Sequence, residues 1–190
     1  MEKIKLVVPT INHQEAALAY IQEFRDYDSP VHGSGSLDSY VLKYDEWLEK
    51  LANNLDEQKL EPGRVLSSTY FAIRENDQKI VGMINIRHQL NDYLLREGGH
   101  IGYAVRPTER RKGYATEILY LGLEKCFELG IEKVLVVCDK SNLGSVKTIQ
   151  SNDGVFENEV IETDTGELME RYCIRPSEVL GKKSEITKLR

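Results

Sequence analysis

Cysteine is scarce in this 190-residue chain, and Cys126, Cys138 and Cys173 lie far apart with no Cys-x-x-Cys pair. That spacing argues against a disulfide framework and a thiolate zinc site, so no metal is expected and a reducing cytoplasm suits the chain. Long apolar runs are missing too. Nothing approaches the roughly 20 residues that span a bilayer, and Met1-Glu2-Lys3-Ile4-Lys5 lacks a signal-peptide core, so no membrane partner is expected. Positive charge is in deficit. Twenty-five Lys and Arg against 31 Asp and Glu leave a net charge of -6, which disfavours nucleic acid and tolerates a cationic partner such as an amine. No internal repeat and no interdomain linker interrupts the chain. Its 41% hydrophobic content is enough for one core of good size.

What is there reads as alternating strands and helices. Residues 4–8 form a strand closed by Pro9, and Ala16, Ala17, Ala19, Tyr20, Ile21 and Phe24 recur at helical spacing. Residues 28–36 hold turn formers at nearly every position, and 28–38 reads as a mobile flap with little apolar content to pin it. Helical periodicity returns over 40–53. Residues 69–74 and 80–87 read as strands joined by Glu75-Asn76-Asp77-Gln78, and 155–161 and 168–174 as a hairpin turned at Asp164-Thr165-Gly166. The expected fold is α/β (α+β): one domain over 1–175 with a mixed, mostly antiparallel central sheet flanked by helices. A polar, loosely attached tail is expected over 176–190.

The most informative stretch is Arg110-Arg111-Lys112-Gly113-Tyr114-Ala115. An apolar strand precedes it, His100 to Val105, stopped by Arg106-Pro107. A helical pattern follows through Ala115, Ile118, Leu119, Gly122 and Cys126. A strand, a basic glycine turn and a helix N-terminus make an anion site, because free backbone N–H groups and the helix dipole point into the turn. Gly113 lets the backbone approach a ligand closely, and Ala115 keeps the first helical turn uncrowded. A pyrophosphate fits this description. Further on, the β-branched run Lys133-Val134-Leu135-Val136-Val137-Cys138 reads as a buried strand, followed by Asn142-Leu143-Gly144-Ser145. A plain helix N-cap alone accounts for Ser141 and Asn142.

The pattern Arg-x-x-Gly-x-Ala after a strand, followed by Asn-x-x-Ser after the next, resembles the acyl-CoA-binding signature of the GNAT superfamily of N-acyltransferases. The match covers residues 65–175 well and the first 60 by layout alone. The resemblance implies acceptor-side helices at about 10–55 and an acyl-CoA core at about 65–160. It implies acetyl-CoA as cosubstrate, bound by Val105, Arg106, Arg110, Arg111, Lys112, Gly113, Tyr114, Ala115, Thr116, Asn142 and Ser145. It also implies direct attack by a primary amine of a small molecule or peptide, with the Val105 N–H meeting the oxyanion. Where the superfamily often has a glutamate base, this chain has His100, whose strand neighbours Gly102 and Ala104 leave room for a ligand. Where many members have a tyrosine acid on the later helix, this chain has Ile149. Ser145 is the nearest remaining hydroxyl. Cys138 is better read as a buried small hydrophobe than as a nucleophile.

On the acceptor side the candidates are His32 and Ser34 in the glycine-serine stretch and His88 after the second strand of the pair. Two other readings stay open: a catalytically silent acyl-CoA-binding domain, and a different phosphate-ligand module. The second lacks both Gly-x-Gly-x-x-Gly and Gly-Lys-Ser/Thr. A second copy of the chain, making a homodimer, also stays open as a partner.

Overall fold

In the computed structural model, which describes residues 2–188 and only the backbone of 183–188, the strands form two antiparallel sheets. β1 (Ile4–Val7), β2 (Ser67–Arg74), β3 (Ile80–Arg87) and β4 (Ile101–Val105) follow one another across the first. In the second, β7 (Leu168–Ile174) lies between β5 (Val134–Asp139) and β6 (Val155–Ile161). Helices α1 (Gln14–Asp26) and α2 (Tyr44–Asn53) precede β2, α3 (Tyr114–Glu128) links β4 to β5, α4 (Leu143–Gln150) follows β5, and α5 (Pro176–Lys188) follows β7.

β3 is buried along nearly its whole length because helices cover both faces. Strand alternation sends Ile84 and Ile86 towards Ile118, Leu119 and Leu123 of α3, and Met83 towards Tyr20, Ile21 and Phe24 of α1 and Trp47 of α2. This is why residues 80–84 run apolar without alternating. The Tyr20 hydroxyl donates to the Ala104 carbonyl at 3.3 Å, tying α1 to β4.

Three expectations are corrected. Helical periodicity over 40–53 begins as a helix only at Tyr44: Leu42 is 95% exposed and contributes to no core face. The stretch 28–38 is pinned rather than mobile. Leu37 is wholly buried, the Trp47 indole N–H donates to the Gly35 carbonyl at 3.1 Å, and Gly33 lies against β4. Composition alone missed this because the anchors are one leucine and backbone groups. The polar segment after Ile174 forms α5, begun by Pro176 at a position suited to proline. Val179 is buried against the α3 side of the core. Residues 189–190 of the predicted tail lie outside the described residues.

Since burying a valine contributes about 1.5–3 kcal/mol, α5 is expected to matter for stability. Val179→Asp should lower the melting temperature by roughly 5 °C in calorimetry. An unchanged transition would return this segment to the status of a loose tail.

Candidate active site

The two sheets touch where β4 and β5 begin. The His100 backbone N–H donates to the Leu135 carbonyl at 2.8 Å, and the Leu135 N–H donates back to His100 Nδ1 at 2.9 Å. Past this clasp no ladder pairs β4 with β5. The β3–β4 register makes Tyr103 and Val105 non-hydrogen-bonded positions towards β3, with the Arg106 N–H donating to the Val81 carbonyl at 2.8 Å. The N–H groups of Tyr103 and Val105 therefore face the gap between the sheets.

This geometry corrects the assignment of His100 as a base. A backbone N–H can only donate, so Nδ1 is the unprotonated nitrogen and its lone pair is already taken. Burial, and secondarily the Arg87 charge, lowers the pKa below 6.5. The side chain is 9% exposed, not beside open space. His100 is a clasp.

At the other end of β4 the chain enters the basic turn. Arg111 (φ 59°) and Gly113 (φ 87°) both take left-handed backbone, an arrangement that turns successive N–H groups to one side. The first bond of α3 runs from the Glu117 N–H to the Gly113 carbonyl, and no side chain caps the helix. Hence the six N–H groups of residues 111–116 have no acceptor among the described residues. A helix start with this many free donors is a site for an anion.

Most of the charged side chains expected there are committed elsewhere. Arg106 pairs with Glu23 of α1 at 2.5 Å. Arg110 donates to the Val105 carbonyl and to Ser29, and lies over the Phe24 ring. Lys112 pairs with Glu109 at 2.9 Å, as do Arg74 at 2.9 Å and Lys79 at 2.7 Å. Burial opposes ionisation of Glu109, yet the bonds from Lys79 and Lys112 and the Arg74 charge hold its pKa at about 2. Tyr114 points into the core, where its hydroxyl accepts from Arg74. Arg111 alone among the turn's cations has neither an ion pair nor a side-chain hydrogen bond within the described residues. Gly113, Ala115 and Thr116 contribute backbone.

At the start of α4, Asn142 Oδ1 accepts from the Ser145 N–H at 3.1 Å, which is a helix cap. The Ser145 hydroxyl meets the Tyr103 hydroxyl at 3.0 Å, so a hydroxyl pair joins β4 to α4. Tyr103 is a residue the sequence argument missed, since its alternation with Ile101 reads as core packing. Ile149 is wholly buried. Burial pushes the Cys138 thiol up to about 11, so it stays protonated.

On the α1–α2 side of β4 lies a cavity of about 460 Å³. Its wall includes His32 and Ser34, with Ser34 donating to Asp38 at 2.9 Å. A Cβ on Gly33 would sit 2.2 Å from the Gly102 carbonyl oxygen, so only glycine lets this loop close over β4. His88 is not in the wall. It bonds Ser68 Oγ at 2.8 Å beyond the end of β3, outside this cavity. Arg87, its neighbour, does line the cavity, together with Lys50 and Arg64. Among the described residues no group of His, Cys, Asp and Glu could hold a metal ion, and no helix is long and apolar enough to cross a membrane.

Residues 21–152 match the model of the Acetyltransferase (GNAT) family. The chain belongs to that family. Solved structures share the fold over almost their whole length. The microcin C7 self-immunity acetyltransferase MccE, in complex with acetyl-CoA and AMP, is 16% identical at a TM-score of 0.64, with 92% of this chain and 93% of that chain covered. RimL, the ribosomal L7/L12 alpha-N-protein acetyltransferase in complex with coenzyme A, is 15% identical at a TM-score of 0.64, covering 90% and 93%. A chimera of spermidine N-acetyltransferase SpeG from Vibrio cholerae and hSSAT is 15% identical at a TM-score of 0.62, covering 93% and 98%. Comparison with the curated proteins found no match.

The clasp has a pH signature. Burial lowers the pKa of both His100 and His88 below 6.5. Below that value the unfolded chain binds more protons than the folded one, so stability is complete above about 6.5 and falls as the pH drops beneath it. His100→Asn, whose carbonyl oxygen can still accept from Leu135, should remove part of this fall and leave the share due to His88. Urea denaturation at about pH 7.5 and 5.5 measures it. An identical pH dependence in the variant would sink the clasp assignment.

Proposed function

We propose that this chain transfers an acetyl group from acetyl-CoA to a primary amine of a small molecule or peptide, by direct attack in a ternary complex. One observation carries the reading: six backbone N–H groups without acceptors among the described residues follow the unpaired edge of β4, and Gly33 and Arg87 of a walled cavity lie beside Gly102 of that strand. The free N–H groups of residues 111–116, with Arg111, would hold the pyrophosphate. From Val105 back to Ile101 the edge of β4 extends about 13 Å, giving an extended pantetheine arm a backbone to run along. Acetyl-CoA supplies the activated acyl group.

The residues of the chain divide the remaining work. The Val105 N–H, facing the gap, donates to the acyl oxygen as negative charge builds there. His100 fixes where β4 and β5 part, and so where that donor sits. With its Nδ1 committed, the cavity wall leaves His32 and Asp38 as the groups able to accept a proton from the amine, directly or through water. The amine nitrogen forms the new bond to the acyl carbon, the carbon–sulfur bond breaks, and the amine proton balances the thiolate. The Tyr103–Ser145 hydroxyl pair is the nearest proton donor for that sulfur, in the role that Ile149 cannot fill.

Two variants test this. Gly113→Val forces a branched side chain onto left-handed backbone at the turn, and should weaken coenzyme A binding by more than about tenfold in calorimetry. Unchanged affinity in a folded variant would remove the donor site. Tyr103→Phe should lower kcat by about tenfold, the size of one lost hydrogen bond, with little change in KM for acetyl-CoA. Wild-type turnover would leave the thiolate to water. Coenzyme A binding without transfer to any amine would leave a silent acyl-CoA-binding domain instead.

A further inference from the structure

Three cations converge on the acceptor cavity. Lys50 reaches it from α2, Arg64 from the segment before β2, and Arg87 from the end of β3. One carboxylate, Asp38, shares the wall, and it accepts from Ser34. Arg64 has an exposed partner outside the wall, Glu61 at 3.7 Å, a distance and exposure at which a pair is weak. Lys50 and Arg87 have no carboxylate partner among the described residues. Instead the Lys50 ammonium lies 5.2 Å from the centre of the Tyr40 ring. The Arg87 guanidinium is fixed through Nη1, which donates to the carbonyls of Gly98 at 2.8 Å and Gly99 at 3.0 Å. Its Nη2 is left beside Gly102 of β4, 3.6 Å from where a Cβ there would stand.

We infer that the acceptor carries an anionic group, a carboxylate or a phosphate, beside its reactive amine, and that Lys50, Arg64 and Arg87 receive it. The inference deepens the acyl-transfer reading and rests on it. A guanidinium held by two backbone carbonyls is preorganised, so an oxyanion meets a fixed fork rather than a flexible chain. A polyamine would bring more positive charge to a wall already in excess of it. Burial, and after it the Arg64 charge, lowers the pKa of Lys50, and Arg64 likewise adds to the effect of burial on Arg87. Arg64 therefore repels both Lys50 and Arg87, offset at Lys50 by the charges of Glu61 and Asp38. The cavity volume, about 460 Å³, is in the range that encloses a small molecule. The net charge of -6 suggests a cationic acceptor; the cavity has the opposite sign.

The test uses matched amines with acetyl-CoA: γ-aminobutyrate against its amide, phosphoethanolamine against ethanolamine, and spermidine as the cationic arm. At least one anionic member should exceed its neutral partner in kcat/KM by about tenfold or more, and which pair responds separates carboxylate from phosphate. The double variant Lys50→Glu, Arg64→Glu should bring that ratio to one or below. Equal ratios in the wild-type protein, a preference for spermidine, or a ratio that survives the double variant would overturn the inference and leave acyl transfer standing. Calorimetry on the coenzyme A-saturated protein, whose basic turn is then filled, reads the cavity without turnover. Binding of γ-aminobutyrate or phosphoethanolamine that the double variant loses supports the inference even if no amine is acetylated, an outcome that would count against acyl transfer alone. Neither anion binding, or ethanolamine binding equally well, overturns it.

Discussion

Two hydrogen bonds between His100 and Leu135 set the angle from which the rest of the site follows. They join the sheets at the start of β4 and β5, and the ladder goes no further. An unpaired edge inside a fold is normally avoided, because its N–H and C=O groups need partners. Here α3 leaves β4 through the basic turn, and α4 closes the gap with the Tyr103–Ser145 contact. A side chain at residue 100 without an acceptor would leave the Leu135 N–H buried and unbonded, at a cost of about 1–3 kcal/mol. It would also free β4 and β5 to move relative to each other. The strand edge takes its position relative to β5 from this one junction.

Charge in the basic turn does something other than its composition suggests. Arg106 and Arg110 fasten α1 and the loop at Ser29 to the end of β4, and Lys112 joins Arg74 and Lys79 around buried Glu109. A carboxylate held at about 2 stays ionised across physiological pH, so the three-cation cluster is a permanent brace. The anion site is thereby left to backbone dipoles and Arg111. Such a site is insensitive to the identity of most side chains and sensitive to the backbone conformation at Gly113, which is where the sequence carries its glycine.

The fold was legible because its signals are local. Strand runs ended by Pro9 and Pro107, the turn at residues 110–115, and helical spacing after Ala115 each depend on near neighbours. The strand, basic turn and helix start were legible for the same reason, since they adjoin in the chain. What failed depends on distant contacts. His100 looked like a base because its partner, Leu135, lies 35 residues on, and no periodicity reveals that a backbone N–H will occupy its lone pair. His88 looked like a cleft residue because a one-residue step in a strand reverses the face, and Arg87 takes the place instead. One signal was present and unused. Asn85 and Arg87 alternate as polar residues along an otherwise apolar strand, which marks a polar cavity on the α1–α2 face.

The proposed anionic acceptor also has to be reconciled with the acidity of the whole chain. Surface charges separated by more than about 8 Å are largely screened at physiological salt, so the total of -6 says little about the potential inside a cleft. Lys50, Arg64 and Arg87 share one cavity wall, and low-dielectric walls focus the field of like charges. On the proposed acyl-transfer reading, the free N–H groups at the start of α3 would do the same for a pyrophosphate at the far end of β4. Between these two positive ends lie the β4 edge and the hydroxyls of Tyr103 and Ser145, which carry no formal charge. Each end can thus anchor an anionic part of its own ligand, leaving the uncharged middle for the reacting atoms. In that middle an N–H dipole acts on developing charge with little competition from solvent or fixed ions.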